Sequence, residues 1–222
     1  MKRWLLALGF VSLVCVSLLP IAGLQRPSPL AHAANPVRGG GSGQVEALLI
    51  LSDGYGGNTN HIRDAMELSG WNYTYTGVDS VVENCYYGEP KEVDILVSDI
   101  TDVTQYDVVA IMPGNSHVQI LGSPEVLALV NQAANEGLLV IACCGGVRVL
   151  AAADVLNGIH VTGKSQFLQE YLDAGAIWVG EPAPPIRDKN ILTSVRNQLN
   201  CRRIIEVART GIDSLCAARA SR

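Results

Sequence analysis

Short, largely apolar runs recur along the chain at residues 45–51, 106–112 and 138–142, with Gly54, Pro113-Gly114 and Gly145-Gly146 close behind them. Runs of that length, apolar at consecutive positions and followed by turn residues, predict strands buried on both faces, as in a parallel sheet. Between them the period changes. Across 124–136, Val126, Leu127, Leu129, Val130 and Ala133 share one side of a predicted helix, and Asn58 or Thr59 can cap another that runs to about Ser69. Weaker signals predict strands at 72–76, 94–98, 160–162, 177–179 and 190–194, and helices at 166–174 and about 199–209. Strands alternating with helices in this order predict an α/β domain with a mainly parallel sheet. Sites in such sheets lie at the carboxyl ends of the strands. The loops at 53–58, 113–117 and 143–146 therefore converge.

The third loop carries the most chemistry. Residues 138–142 are apolar, Cys143-Cys144-Gly145-Gly146 follows, and an alanine-rich helical run begins at once. A strand, a tight turn and a helix place a thiol at the helix N-terminus, where unpaired N–H groups and the dipole favour thiolate. Small residues at the bend let the helix pack close to the strand. The same local pattern is equally compatible with a buried structural cysteine pair, since cysteine is among the most buried residues.

The N-terminus reads separately. Lys2 and Arg3 precede an apolar run over residues 4–19, and Ala31-His32-Ala33 closes a small-residue cleavage pattern. That is the architecture of a secretory signal over residues 1–33, with a retained membrane anchor as the alternative. Residues 34–44, with Gly39-Gly40-Gly41-Ser42-Gly43, read as a flexible linker, and 45–222 as one domain. The formal net charge is −5 and no Lys/Arg block occurs, which argues against a nucleic-acid partner. Cys85, Cys143, Cys144, Cys201 and Cys216 survive signal removal, and an odd count in an exported protein implies an unpaired thiol. Cys201 and Cys216 could bridge across the last helical segment, or Cys85 could take one of them. No Cys/His spacing suits zinc, so neither metal nor cofactor is expected.

Three segments resemble one family. Ala142-Cys143-Cys144-Gly145-Gly146 with Leu150-Ala151-Ala152-Ala153-Asp154-Val155-Leu156-Asn157-Gly158 is similar to the cysteine elbow and following helix of the ThiJ/PfpI family. Asp107-Val108-Val109-Ala110-Ile111-Met112-Pro113-Gly114-Asn115 resembles its strand and Pro-Gly loop, and the stretch from Ala174 to Ser194 its hairpin. The resemblance implies a three-layer sandwich with a flavodoxin-like, mainly parallel sheet and a nucleophile elbow, of the class I glutamine amidotransferase-like type. It also implies a homodimer or higher oligomer and places Cys144, not Cys143, on the nucleophile.

The departures fall on the partners of the thiol. Gly57 stands where the family usually has a glutamate, Gly145 where many members have a histidine, and Lys164 where others have one. No histidine follows His160, which excludes the His-x-Glu of true glutamine amidotransferases. His61, one turn beyond Gly57, and His117, after the Pro-Gly-Asn loop, are the candidate replacement bases. The plainer reading of each is a surface or capping residue. His160, inside an apolar strand, reads as core. Backbone N–H groups of Gly145 and of the Gly114-Asn115 loop are the expected oxyanion donors. Asp53 is a further site-lining candidate or a turn cap, and Tyr55, Tyr86 and Tyr87 line a pocket mouth or simply pack.

The resulting expectation is a secreted or periplasmic cysteine-nucleophile hydrolase or carbonyl-adduct enzyme (peptidase-, amidase- or glyoxalase-like). Its substrate would be a small molecule or peptide, with no stable membrane association after signal removal. The alternatives are a non-enzymatic redox-sensing or ligand-binding relative, and an interaction domain with Cys143 and Cys144 closed into a vicinal disulfide.

Overall fold

The computed structural model describes residues 44–56, 58–84, 88–181, 183–195 and 201–220. The expected signal sequence, most of the linker, Gly57, Cys85, Tyr86 and Tyr87 lie outside these. In chain order the first elements are β1 (Glu46–Ile50), α1 (Asn58–Leu68), β2 (Asn72–Gly77), β3 (Val81–Val82), β4 (Lys91–Glu92), β5 (Ile95–Leu96) and β6 (Val108–Ile111). Then come α2 (His117–Ile120), α3 (Pro124–Asn135), β7 (Leu139–Cys143), α4 (Val147–Ala152), β8 (His160–Thr162) and α5 (Leu168–Asp173). The last are β9 (Ile177–Gly180), β10 (Ile186–Asp188), β11 (Ile191–Ser194) and α6 (Cys201–Ala220).

The central sheet has seven strands in the order β10-β11-β7-β6-β1-β2-β5. Every pairing is parallel except that of β10 with β11. Its middle strands are apolar at consecutive positions because both faces are covered. Leu48, Ile50, Val109, Ile111, Val140 and Ala142 join α3 and α4 in one core layer. The alternate residues Ala47, Leu49, Val108, Ala110, Leu139, Ile141 and Cys143 join α1 and α6 in the other. This is a three-layer α/β sandwich of flavodoxin-like type. The period of two sends Cys143 into the α1/α6 layer. Ser123 caps α3 by accepting the Val126 N–H at 3.4 Å, with Pro124 at the first helical position, where a missing N–H costs nothing.

Several expectations change. β8 and β9 pair with each other in a separate two-stranded sheet. His160 is exposed rather than core: its backbone N–H and Nδ1 lie 2.9 and 2.8 Å from the Asp188 carboxylate. The helix expected from 166 begins as a 3₁₀ turn, Ser165–Phe167, before α5. The last helix continues through Ala220, so Cys201 and Cys216 lie in one helix, about 22 Å apart at 1.5 Å per residue. That separation is far beyond disulfide reach. Cys143 and Cys144 are free thiols, so no vicinal disulfide closes the elbow. Among the described residues no helix is long and apolar enough to cross a membrane.

Candidate active site

β7 ends at Cys143, a 3₁₀ turn spans Cys144–Gly146, and α4 starts at Val147. Cys144 has φ +58°, a left-handed conformation that costs a non-glycine residue about 1–3 kcal/mol and persists only where the surroundings enforce it. The enforcement is visible on both sides. β7 is hydrogen-bonded to β6 and β11 up to the bend, and Gly146 brings α4 so close to β6 that a Cβ there would lie 3.1 Å from Ile111 Cγ2. The strain lifts Cys144 out of the sheet to a half-buried position, while Cys143 is fully buried. Burial, and next the neighbouring Cys201 and Cys144 thiols, push the Cys143 thiol far above its ordinary range. Of the two adjacent thiols, Cys144 is the one reached by solvent.

The loops after β1 and β6 are locked together beside the elbow. Gly114 has φ +123°, and a Cβ there would overlap the Gly56 backbone nitrogen and lie 2.5 Å from Gly54 O. Gly56 N–H donates to Pro113 O at 2.8 Å, Asn115 N–H to Gly54 O at 2.7 Å, and Ser52 Oγ to Ser116 O at 2.8 Å. Because its N–H is committed to Gly54, Asn115 is not a free oxyanion donor. The amides of Gly114 and Gly145 remain the candidates.

His117 opens α2, is 7 % exposed, and lies against the elbow. A Cβ on Gly145 would overlap its ring, falling 2.5 Å from Cε1 and 2.8 Å from Cγ. Its Nδ1 is 3.1 Å from Gly114 O. A carbonyl can only accept, so Nδ1 carries the proton and Nε2 presents the lone pair. Burial lowers the His117 pKa, with further lowering from the Arg148 and Lys164 charges; the Gly114 hydrogen bond and Glu170 oppose it. The ring is therefore neutral at neutral pH, in the state a general base requires. Phe167 meets it edge-on at 5.8 Å, Arg148 lies 4.4 Å over the Phe167 ring, and Arg148 Nε is 2.7 Å from Glu170 Oε2.

The other sequence candidates are placed differently. His61 is exposed on α1, away from the buried face formed by Thr59, Ile62, Ala65 and Met66. Asp53 is also exposed and fastens its own loop: Oδ1 accepts the Glu83 N–H at 2.9 Å, and its N–H donates to Gln119 Oε1 at 2.8 Å. Tyr55 is buried and donates to Glu89 O at 2.6 Å, which makes it a packing residue. Lys164 is half-buried at the end of β8 and lines a small cavity. Among the described residues no three His, Cys, Asp or Glu side chains gather to hold a metal.

Sequence reasoning passed over Arg148, Phe167, Glu170 and Tyr171. Arg148 carried a usable signal, as the one charged residue in an otherwise apolar helix and four positions beyond Cys144. The three residues of the α5 region carried none, because only tertiary packing brings that helix to the elbow. The Tyr171 hydroxyl is fully buried against Gly163 and approaches the Lys164 backbone without reaching hydrogen-bond geometry.

Comparison with known proteins places this geometry. The family model described as DJ-1/PfpI family matches residues 47–201. The DJ-1 homolog D protein of Arabidopsis thaliana is 30% identical over 99 residues, 43% of this chain, and the match spans 25% of that protein's length. A ThiJ/PfpI domain protein of Brachyspira murdochii superposes with a TM-score of 0.69 at 16% identity, covering 78% of this chain and 99% of that one. DJ-1beta of Drosophila melanogaster superposes at 0.66 and 19% identity, covering 79% and 97%. At these identities the structural neighbours establish the fold.

Proposed function

The chain belongs to the DJ-1/PfpI family, and on that premise we propose that it is an exported cysteine-dependent enzyme acting on the carbonyl carbon of a small molecule or peptide. One observation carries this reading. A neutral, oriented imidazole from the loop after β6 occupies the space that a side chain following the nucleophile would need. In this scheme His117 Nε2 takes the Cys144 thiol proton and the thiolate attacks the carbonyl carbon. The π pair moves to oxygen, facing the Gly145 and Gly114 amides. With an aldehyde the proton returns to that oxygen, giving a hemithioacetal. With an ester or amide it goes to the leaving group.

Mass-spectrometric mapping after limited alkylation of the native protein tests the assignment. Cys144 should be modified first and Cys143 last. His117→Ala should slow both alkylation and turnover of aldehyde or ester substrates by about 10²-fold or more, the scale of a general base. First labelling of Cys143 would refute it.

A second reading, an oxidant-sensitive or ligand-binding thiol without turnover, is favoured by one fact: Cys144 makes no hydrogen bond to a carboxylate among the described residues. Stoichiometric sulfenic acid formation with no multiple turnover would select it. Export rests on the pattern of residues 1–33; secreted material should begin at Ala34, whereas membrane-bound protein starting at Met1 would mark an anchor. Assembly as a homodimer or larger oligomer is tested by light scattering on the mature protein.

A further inference from the structure

The ends of β11 and β8 lie side by side next to the Cys143-Cys144 bend. Ser194 at the end of β11 pairs with Cys143, so Val195 lies next to the elbow. Thr162 at the end of β8 donates its N–H to Thr193 Oγ1 at 3.0 Å, which holds Gly163 and Lys164 alongside Val195. A cavity of about 200 Å³ opens on this row, lined by Lys164, Ser165, Gln166, Glu181 and Val195. Lys164 makes no ion pair among the described residues, and its charge reaches His117, which touches Gly145. The Glu181 carboxylate is turned to the loop backbone, accepting the Ser165 N–H on Oε2 at 2.5 Å. The other cation near His117, Arg148, is held by Glu170 at 2.7 Å.

We infer that Lys164, with the neutral polar groups of Ser165 and Gln166, forms a carboxylate subsite next to Cys144, and that the substrates are small carbonyl compounds carrying a carboxylate beside the reactive carbon, the 2-oxo acid class. The inference rests on Cys144 being the nucleophile of the proposed function. An ammonium on a half-buried stem gives a compact positive charge with three donors, suited to one carboxylate. In this proposal a substrate held by its carboxylate on Lys164 presents the adjacent carbonyl carbon to the Cys144 sulfur. The thiolate forms the C–S bond, the π pair goes to oxygen, and the proton that His117 took from the thiol passes to that oxygen. The carboxylate is unchanged, and the adduct reverses by the same path.

The test compares alkylation of Cys144 by iodoacetate and iodoacetamide, read by peptide mass spectrometry on the mature protein. Both reagents report the same thiolate and differ in charge, so their rate ratio cancels any change in thiolate fraction. The wild-type ratio should exceed that of N-acetylcysteine by roughly three- to fivefold, the scale of one partly exposed charge contact. Lys164→Gln should return the ratio to the N-acetylcysteine value and Lys164→Arg should retain most of the excess. Lys189→Gln, at the β10–β11 turn on the opposite end of β11, should leave it unchanged. Pyruvate should protect Cys144 at lower concentration than its methyl ester. A wild-type ratio equal to that of N-acetylcysteine, or one unmoved by Lys164→Gln, overturns the subsite. Absence of labelling by either reagent instead overturns the nucleophile assignment, and the subsite with it.

Discussion

Gly145→Ala is the sharpest perturbation of this site. Gly145 does not adopt a left-handed φ, so its backbone accepts alanine without strain. The obstacle is the His117 ring, which the new methyl group would overlap. His117 cannot swing freely, because it is buried, bonded to Gly114 O at 3.1 Å and backed by Phe167 at 5.8 Å. Overpacking a tight interior costs about 1–3 kcal/mol and losing a hydrogen bond about 0.5–1.5 kcal/mol, so a loss of about 2–4 kcal/mol is expected. Urea denaturation measures it, at constant m-value. The same substitution in a His117→Ala background should cost less than about 0.5 kcal/mol, because the ring it collides with is gone. The Cys144 alkylation rate should fall in Gly145→Ala, as Nε2 leaves its place. Equal costs in the two backgrounds would refute the contact and the role built on it.

Two further predictions concern neighbouring groups. Since burial holds the His117 pKa below its ordinary value of 6.5, its neutral form contributes stability that is fully present above pH 6.5 and lost as pH falls through the lower folded value. The wild type should therefore lose up to about 1.4 kcal/mol per pH unit more than His117→Asn below pH 6.5, and identical slopes in urea titrations would count against it. Tyr171→Phe removes a buried hydroxyl without a hydrogen-bond partner, so the variant should match or exceed wild-type stability; a loss of about 1 kcal/mol would reveal a partner.

The layered fold was legible because its signals are local. The consecutive apolar residues of β1, β6 and β7 state that both faces are covered, and Ser123-Pro124 announces α3. The two-residue strands β3 and β4, and the length of α6, were not legible. The strands are too short for periodicity to register, and Thr210-Gly211 reads as a stop that the helix runs straight through. His160 misled for a related reason: an apolar neighbourhood suggested core, yet its strand belongs to a two-stranded sheet with one open face.

At the site, the sequence by itself determined the elbow. Cysteine and glycine at the end of a buried strand, ahead of a helical run, announce a tight turn, and the neighbouring strands and helix then hold Cys144 in its left-handed conformation. It also supplied two histidines as candidate partners, and nothing in their spacing chose between them. The choice is made by the abutment of Gly54–Gly56 on Gly114, which fixes the loop after β6, turns His117 onto Gly145 and leaves His61 on the surface. Likewise only the docking of α5 sets Phe167 against His117, and only the tie between β8 and β11 sets Lys164 on one cavity with Val195. These contacts join residues about 20 to 60 positions apart, where no local period operates. Side-chain volumes and backbone hydrogen bonds between elements decide them.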